Sequence, residues 1–205
     1  MTAGIFGLIG VICGSLLTAL KEWWLQSLSN KRNSAYLAAR VSILLDKFVL
    51  ACAEVVADDG LCYGQPDKDG YHSPQVDPPS LELQQIEVEW RSLPVRLMYE
   101  ILDLPYKTEV AERRIQGVKE HVASPPEFVE FFEERQLQYA QLGLLAADLS
   151  TRLREHAKLP ARLAGAWDPI SYMQDAEEKI TKLREQRALD KQAWLREQEV
   201  LQKLI

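Results

Sequence analysis

An apolar run near the start of the chain limits what the protein can be. Residues 2–20 read TAGIFGLIGVICGSLLTAL, and the first charged side chain is Lys21. A helix of this length is about 28 Å long at 1.5 Å per residue, close to the thickness of bilayer hydrocarbon. Trp23 and Trp24 follow it, and tryptophan rings settle at the membrane interface. The run therefore predicts a transmembrane anchor over residues 1–25.

Two alternatives fit this run less well. A secretory signal has a basic segment before its apolar core and a small-residue cleavage site after it, and the sequence has neither pattern here. A helix in a soluble core carries a polar stripe, whereas the polar residues of 2–20 are Thr2, Ser15 and Thr18. We therefore favour a membrane span over both.

The charges beside the run predict its orientation. No Lys or Arg precedes it, and the nearest bases after it are Lys21, Lys31, Arg32 and Arg40. Because Lys and Arg accumulate on the cytoplasmic side, we expect a single-pass protein of the inner (cytoplasmic) membrane, with its N-terminus outside and its body in the cytoplasm. We expect five residues to lie at the interface with the lipid bilayer: Lys21, Trp23, Trp24, Lys31 and Arg32.

The cysteines agree with a cytoplasmic body. Cys13, Cys52 and Cys62 are an odd and sparse set, which is not a disulfide framework and suits a reducing compartment.

Small residues recur along one face of the predicted span. Spacings of three and four place them on one side of a helix, and Gly10 and Gly14 form a G-x-x-x-G pattern. Small side chains let two helices approach closely in lipid, although glycine is also common in spans generally. We expect this face to pack against a second copy, giving a homo-oligomer, or against a membrane protein partner. Its residues are Ala3, Gly7, Gly10, Gly14 and Thr18.

Residues 26–165 are predicted to form a helical domain. Residues 35–57 have apolar positions at helical spacing and are apolar almost all round, which indicates a buried central helix. A second span there is disfavoured because Asp46 and Lys47 would lie near its middle. Further helices are predicted over residues 94–103, 107–122 and 126–158, the last with a capping-box spacing at Ser124 and Glu127.

A long loop interrupts this domain. Residues 58–80 are rich in glycine and proline, and loops of such length are either functional or disordered. Asp67 and Asp69 suggest part of a calcium loop, but Gln65 and Val76 occupy positions that need carboxylates, so we reject calcium. Residues 81–91 fit either a strand or a helix, and we favour the helix.

The C-terminal segment, residues 166–205, is predicted to be an extended and highly charged helix that opens at Asp168-Pro169. Its apolar residues follow an imperfect heptad pattern, as in a coiled coil between chains. The alternative is a helix that packs on its own domain for two turns and then projects. The candidate coiled-coil face contains Met173, Ile180, Leu183, Trp194, Leu201 and Leu204.

The sequence offers no pattern for catalysis. Its three histidines lie outside the known nucleophile and metal motifs, and Cys52, Cys62 and His72 do not have zinc spacing. The acids Glu127, Glu130, Glu133 and Glu134 suit the start of a helix without any acid–base role. We therefore expect no enzyme activity, catalytic residue, metal, cofactor or small-molecule substrate. A net charge of −6 without a basic region also argues against nucleic acid.

Three segments together resemble a group of bacterial single-span membrane proteins of uncharacterised function. They are Trp23 with Ala38-Ala39-Arg40, Leu45-Asp46-Lys47-Phe48 and Cys52; Pro125-Pro126-Glu127 with Phe131-Phe132-Glu133-Glu134-Arg135; and Leu142-Gly143-Leu144 with Leu149, Leu153-Arg154 and Leu159-Pro160. The resemblance covers about two thirds of the chain. It implies an anchored helical body and supplies no activity or site residue.

These patterns predict an all-α protein with an N-terminal transmembrane helix, a cytoplasmic helical bundle and a long charged C-terminal helix. The function we expect is a membrane-anchored interaction or assembly protein that self-associates through its span. Two alternatives stay open: an oligomeric membrane effector that forms a pore, and a phage-type envelope protein whose coiled tail reaches outward.

Overall fold

The computed structural model describes residues 2–83, 86, 89–162, 165 and 167–203, without the side chains of residues 2–16, 19, 28 and 199–203. The helices are α1 (Thr2–Ala57), α2 (Val95–His121), α3 (Val129–Ala157) and α4 (Pro169–Lys203). Within the described residues there is no strand, and Cys62 and Gln65 form an isolated bridge. The all-α prediction is confirmed.

The first helix is one continuous element of 56 residues, about 84 Å long. No proline or other helix breaker separates the apolar run from the body, so the helix continues through both. Its second half supplies much of the core, with Leu37, Val41, Leu45, Val49 and Cys52 fully buried. This burial agrees with the buried central helix predicted over residues 35–57, although Tyr36, Ile43 and Leu50 are exposed along one side.

The central element is α3, which contacts α1, α2 and α4. A Cβ atom built on Gly143 would lie 3.0 Å from the Cβ of Cys52 on α1 and 2.4 Å from the Sδ of Met173 on α4. Such separations are too short for a side chain, so the glycine permits three helices to meet closely. The core of the protein is therefore organised around α3.

The start of α3 differs from the prediction. Residues 125–127 form a turn, Phe128 adopts a left-handed conformation with φ of 51°, and the helix begins at Val129. No side chain caps this end, so the capping box predicted for Ser124 and Glu127 is wrong. The two prolines disfavour the helical region for Ser124 and Pro125, which precede them, and the left-handed conformation of Phe128 keeps residues 125–127 out of the helix.

A single helix, α2, replaces the two that were predicted on either side of Leu104-Pro105. Proline inside a helix removes a hydrogen bond and costs about 3 kcal/mol. Ile101 and Leu104 are both fully buried against the core, and burying each such side chain contributes about 1.5–3 kcal/mol. Tertiary packing therefore offsets the local cost of Pro105.

The described part of the segment before α2 is mostly irregular, which corrects the helix predicted over residues 81–91. Residues 81–83, 86 and 89 have no regular structure, residues 84, 85, 87 and 88 lie outside the described part, and a single 3-10 turn covers Trp90–Ser92. Leu83 and Ile86 are buried in the core. The apolar residues Leu83 and Ile86 therefore attach this segment to the core without forming a helix.

Candidate functional site

The part of α1 that leaves the body exposes large apolar side chains. Trp23 is 70% exposed, and its neighbours Trp24 and Leu25 are exposed as well. The interfacial bases predicted from the sequence, Lys21, Lys31 and Arg32, are also exposed. A patch of this kind is unusual on a surface that faces water. The exposed apolar residues are Leu17, Leu20, Trp23, Trp24 and Leu25.

Among the residues that the structure describes, no helix has a stretch long and apolar enough for a membrane crossing. Most of the predicted self-association face lies outside the described side chains, namely Ala3, Gly7, Gly10 and Gly14. Thr18, the remaining member of that face, is exposed.

The predicted coiled-coil face of α4 divides into two parts. Met173 and Ile180 are buried against the body, while Leu183 and Trp194 are exposed, Trp194 at 57%. Leu189 and Leu195 are exposed as well, and the side chains of Leu201 and Leu204 lie outside the described residues. The helix therefore packs on its own domain at its start and projects beyond it. Asp168 caps this start by accepting hydrogen bonds from the N–H groups of Ile170 and Ser171.

Two acids of α3 hold α4 in place. Glu134 is 3% exposed, and its carboxylate lies 2.6 Å from Arg114 Nε on α2 and 2.8 Å from Arg184 Nη1 on α4. Next to it, Glu133 pairs with Arg187 at 2.7 Å. These acids therefore join three helices, a role that the sequence did not reveal because their partners are about 20 to 54 residues away.

A second buried ion pair closes the long loop. Asp58 follows α1 directly, and its Oδ2 accepts a hydrogen bond from Arg135 Nη1 at 2.8 Å, with both side chains buried. The same carboxylate accepts hydrogen bonds from the N–H groups of Gly60, Gln75 and Val76. Asp58 therefore ties both ends of the loop to α3.

The environment of Asp58 favours its charged form. Burial raises the pKa of this carboxyl, but the three backbone hydrogen bonds and the charge of Arg135 outweigh burial and hold the pKa below its ordinary value. One sequence pattern indicates this site, because Arg135 occupies the apolar face of α3 between Phe132 and Tyr139. An arginine in that position requires a buried partner.

The loop also packs against the start of α3. Gly60 has φ of +80°, and a Cβ atom there would lie 2.2 Å from the ring of Phe132, so only glycine fits. His72 donates its backbone N–H to the Pro126 carbonyl at 3.0 Å, and Ser73 donates to the Gly60 carbonyl. These contacts hold the loop in an ordered conformation against the start of α3.

The nucleophilic and metal-binding candidates are not gathered at one place. Burial raises the pKa of the Cys52 thiol, which makes it a poor nucleophile, whereas Cys62 is exposed on the loop. Within the described residues, no three His, Cys, Asp or Glu side chains are arranged to hold a metal ion. The expectation that the protein is not an enzyme stays a prediction.

No protein-family model matches this chain, and no curated protein or solved structure is significantly similar to it. The fold and its surfaces define a class nonetheless: a helical bundle from which one apolar helix end and one charged helix end project.

Proposed function

We propose that the protein is a membrane-anchored interaction protein. In this proposal the first part of α1 crosses the inner membrane, the helical body lies at its cytoplasmic face, and the projecting part of α4 contacts a partner or a second copy. The span remains an inference from residues 2–20, which are uncharged and about 28 Å long as a helix.

The exposed apolar side chains from Leu17 to Leu25 support the proposal most directly. They continue the apolar run on the same helix, and each is more than half exposed. Lipid is an environment in which their exposure is favourable, and tryptophans such as Trp23 and Trp24 prefer its interface. The continuous helix then fixes the body at a defined distance from the membrane, because no loop separates the two.

Extraction of native membranes with alkaline carbonate tests the anchor. We expect the full chain to stay in the membrane pellet, as an integral protein does, and to float with lipid in a density gradient. Release of the chain into the carbonate supernatant would overturn the proposal. The same fractions, solubilised gently and captured through the body, identify the partner.

Crosslinking in the membrane tests self-association. Changing Gly7, Gly10 and Gly14 together to leucine is expected to abolish the crosslinked dimer, because close approach of two helices needs small side chains. A matched control changes Ile5, Ile9 and Ile12 to leucine, three positions on the opposite face of the helix. If both triple variants give the wild-type pattern, the proposed face does not mediate association.

A further inference from the structure

A recess lies where α1 leaves the body. It has a volume of about 650 Å³, which is within the range of small-ligand sites. Trp23, Lys31 and Ser34 of α1 line one side, and His156 and Lys158 at the end of α3 line the other. Ser92, from the turn before α2, completes the wall.

The side chains that line this recess are of the kinds that bind anions. Lys31 and Lys158 are both exposed cations, and no acidic side chain of the described residues lines the recess. The other lining groups are hydroxyls, amides, an imidazole, an indole and one alanine. Free carbonyl oxygens at the end of α3 would repel an anion. Those of Arg154 and Glu155, however, already accept hydrogen bonds from the N–H groups of Leu159 and Lys158.

A buried hydroxyl without a partner supports the same conclusion independently. Ser34 is 8% exposed, and its Oγ has no hydrogen-bond partner. Buried polar groups are almost always paired, so an unpaired one calls for an explanation. A bound group with acceptor oxygens supplies the missing partner, because rotation about χ1 redirects the hydroxyl.

We propose that the recess binds the phosphate group of an anionic phospholipid headgroup. This inference rests on the proposed function, which places Trp23 at the membrane interface and the recess directly beyond it. Side chains of a helix lean towards its N-terminus, so Lys31 extends back towards the membrane. Phosphate oxygens can accept hydrogen bonds from the donors present there, which are the ammonium groups of Lys31 and Lys158 and the hydroxyl of Ser34.

This site differs from general attraction between bases and a membrane. His156 and Lys158 come from α3, more than 120 residues after Lys31, so the site exists only in the folded bundle. Arg32 provides the contrast, because it lines a separate recess on the other side of α1 with Leu25 and Tyr36.

The test uses the full chain in detergent and dihexanoyl-phosphatidylglycerol as the probe, with binding followed by native mass spectrometry. We expect one molecule to bind at least ten-fold more tightly than dihexanoyl-phosphatidylcholine or inorganic phosphate. Lys31→Gln and Lys158→Gln should each weaken binding about five-fold. Ser34→Ala should weaken it without any change of charge, and Arg32→Gln should change it less than two-fold.

Three results would overturn the site. One is no preference for phosphatidylglycerol over phosphatidylcholine. Another is an equal loss of affinity in Lys31→Gln and Arg32→Gln, which would indicate diffuse surface attraction. The third is inorganic phosphate binding as tightly as the lipid, which would identify free phosphate as the ligand.

Carbonate extraction of the same variants separates this proposal from the one on which it rests. If the wild-type protein stays in the membrane pellet but does not bind the probe, the proposed lipid site is wrong and the anchor is unaffected. Wild-type protein that is released from the pellet overturns the anchor, whatever the probe shows. Thermal unfolding monitored by circular dichroism confirms that each variant is folded.

Discussion

The two long helices at the ends of the chain are built in opposite ways. The first, α1, leaves the body at its N-terminal half and packs through its C-terminal half, whereas α4 packs first and projects afterwards. The free part of α1 exposes five large apolar residues within nine positions, while the free part of α4 exposes fewer, Leu189, Trp194 and Leu195, among many charges. The first surface suits lipid, and the second suits water and a protein partner.

The packed halves differ as well. On α1, Leu37, Val41 and Leu45 are fully buried in an apolar core. On α4, a shorter set of apolar residues that includes Met173 and Ile180 is supplemented by ion pairs to Glu133 and Glu134. We therefore expect α1 to be fixed in the fold and α4 to detach more easily.

The largest expected effect follows from placing charge in the free part of α1. Ile9→Arg combined with Ile12→Arg should disfavour membrane insertion by about 5–7 kcal/mol, because each arginine at the middle of a span costs about 2.5–3.5 kcal/mol. Most of the chain should then appear in the soluble fraction. The matched control on α4, Leu189→Arg with Leu195→Arg, should leave the membrane fraction unchanged.

A smaller but still large effect is expected at the end of α1. Asp58→Asn leaves Arg135 buried without its counter-ion, which should lower the free energy of unfolding by about 3–5 kcal/mol. Chemical denaturation of the wild type and the variant measures this difference. Replacing the exposed neighbour Asp59 with asparagine serves as the control and should change stability by less than about 0.5 kcal/mol.

The same aspartate makes stability depend on pH. Its pKa is lower in the folded protein than in the unfolded chain, where an aspartate titrates at about 3.9. The contribution of Asp58 to the free energy of unfolding is therefore present above about pH 4. It is lost as the pH falls through the lower pKa that this carboxyl has in the folded protein. Denaturation curves between pH 6 and pH 3 should show a smaller acid-induced loss in Asp58→Asn than in the wild type; equal losses would contradict this.

A weaker effect is expected where α4 packs. Glu134→Gln keeps the shape of the side chain but removes the charge that Arg114 and Arg184 share, at an expected cost of about 1.5–3 kcal/mol. Hydrogen exchange should increase in α4 while the packed half of α1 stays protected. Uniform loss of protection across both helices would show that α4 is no easier to detach.

The smallest effect on stability is expected in the projecting part of α4. Trp194→Ala should change the free energy of unfolding by less than about 0.5 kcal/mol, because the side chain is exposed. If this part of α4 pairs between chains, the same change should reduce the oligomer measured by light scattering. If the oligomer is unchanged, α4 does not form a coiled coil between chains.

The sequence predicted those features of the fold that depend on local pattern. The all-α class, the buried helix over residues 35–57 and the start of α4 at Asp168-Pro169 follow from periodicity and capping. The helix through Pro105 did not, because it depends on burial of Ile101 and Leu104. The membrane interface stays a prediction from composition. The Asp58–Arg135 pair, the bonds of Glu134 and the recess could not be predicted, because they depend on residues that are distant in sequence.

The most direct test of the account uses a natural cysteine. Cys62 is exposed on the loop and Cys52 is buried, so a membrane-impermeant maleimide should report on the position of the body through Cys62, with Cys62→Ser as the control. The account predicts that the chain sediments with both kinds of inner-membrane vesicle and that Cys62 is labelled in inside-out vesicles but protected in right-side-out ones. Labelling in right-side-out vesicles, or absence of the chain from both, would contradict it.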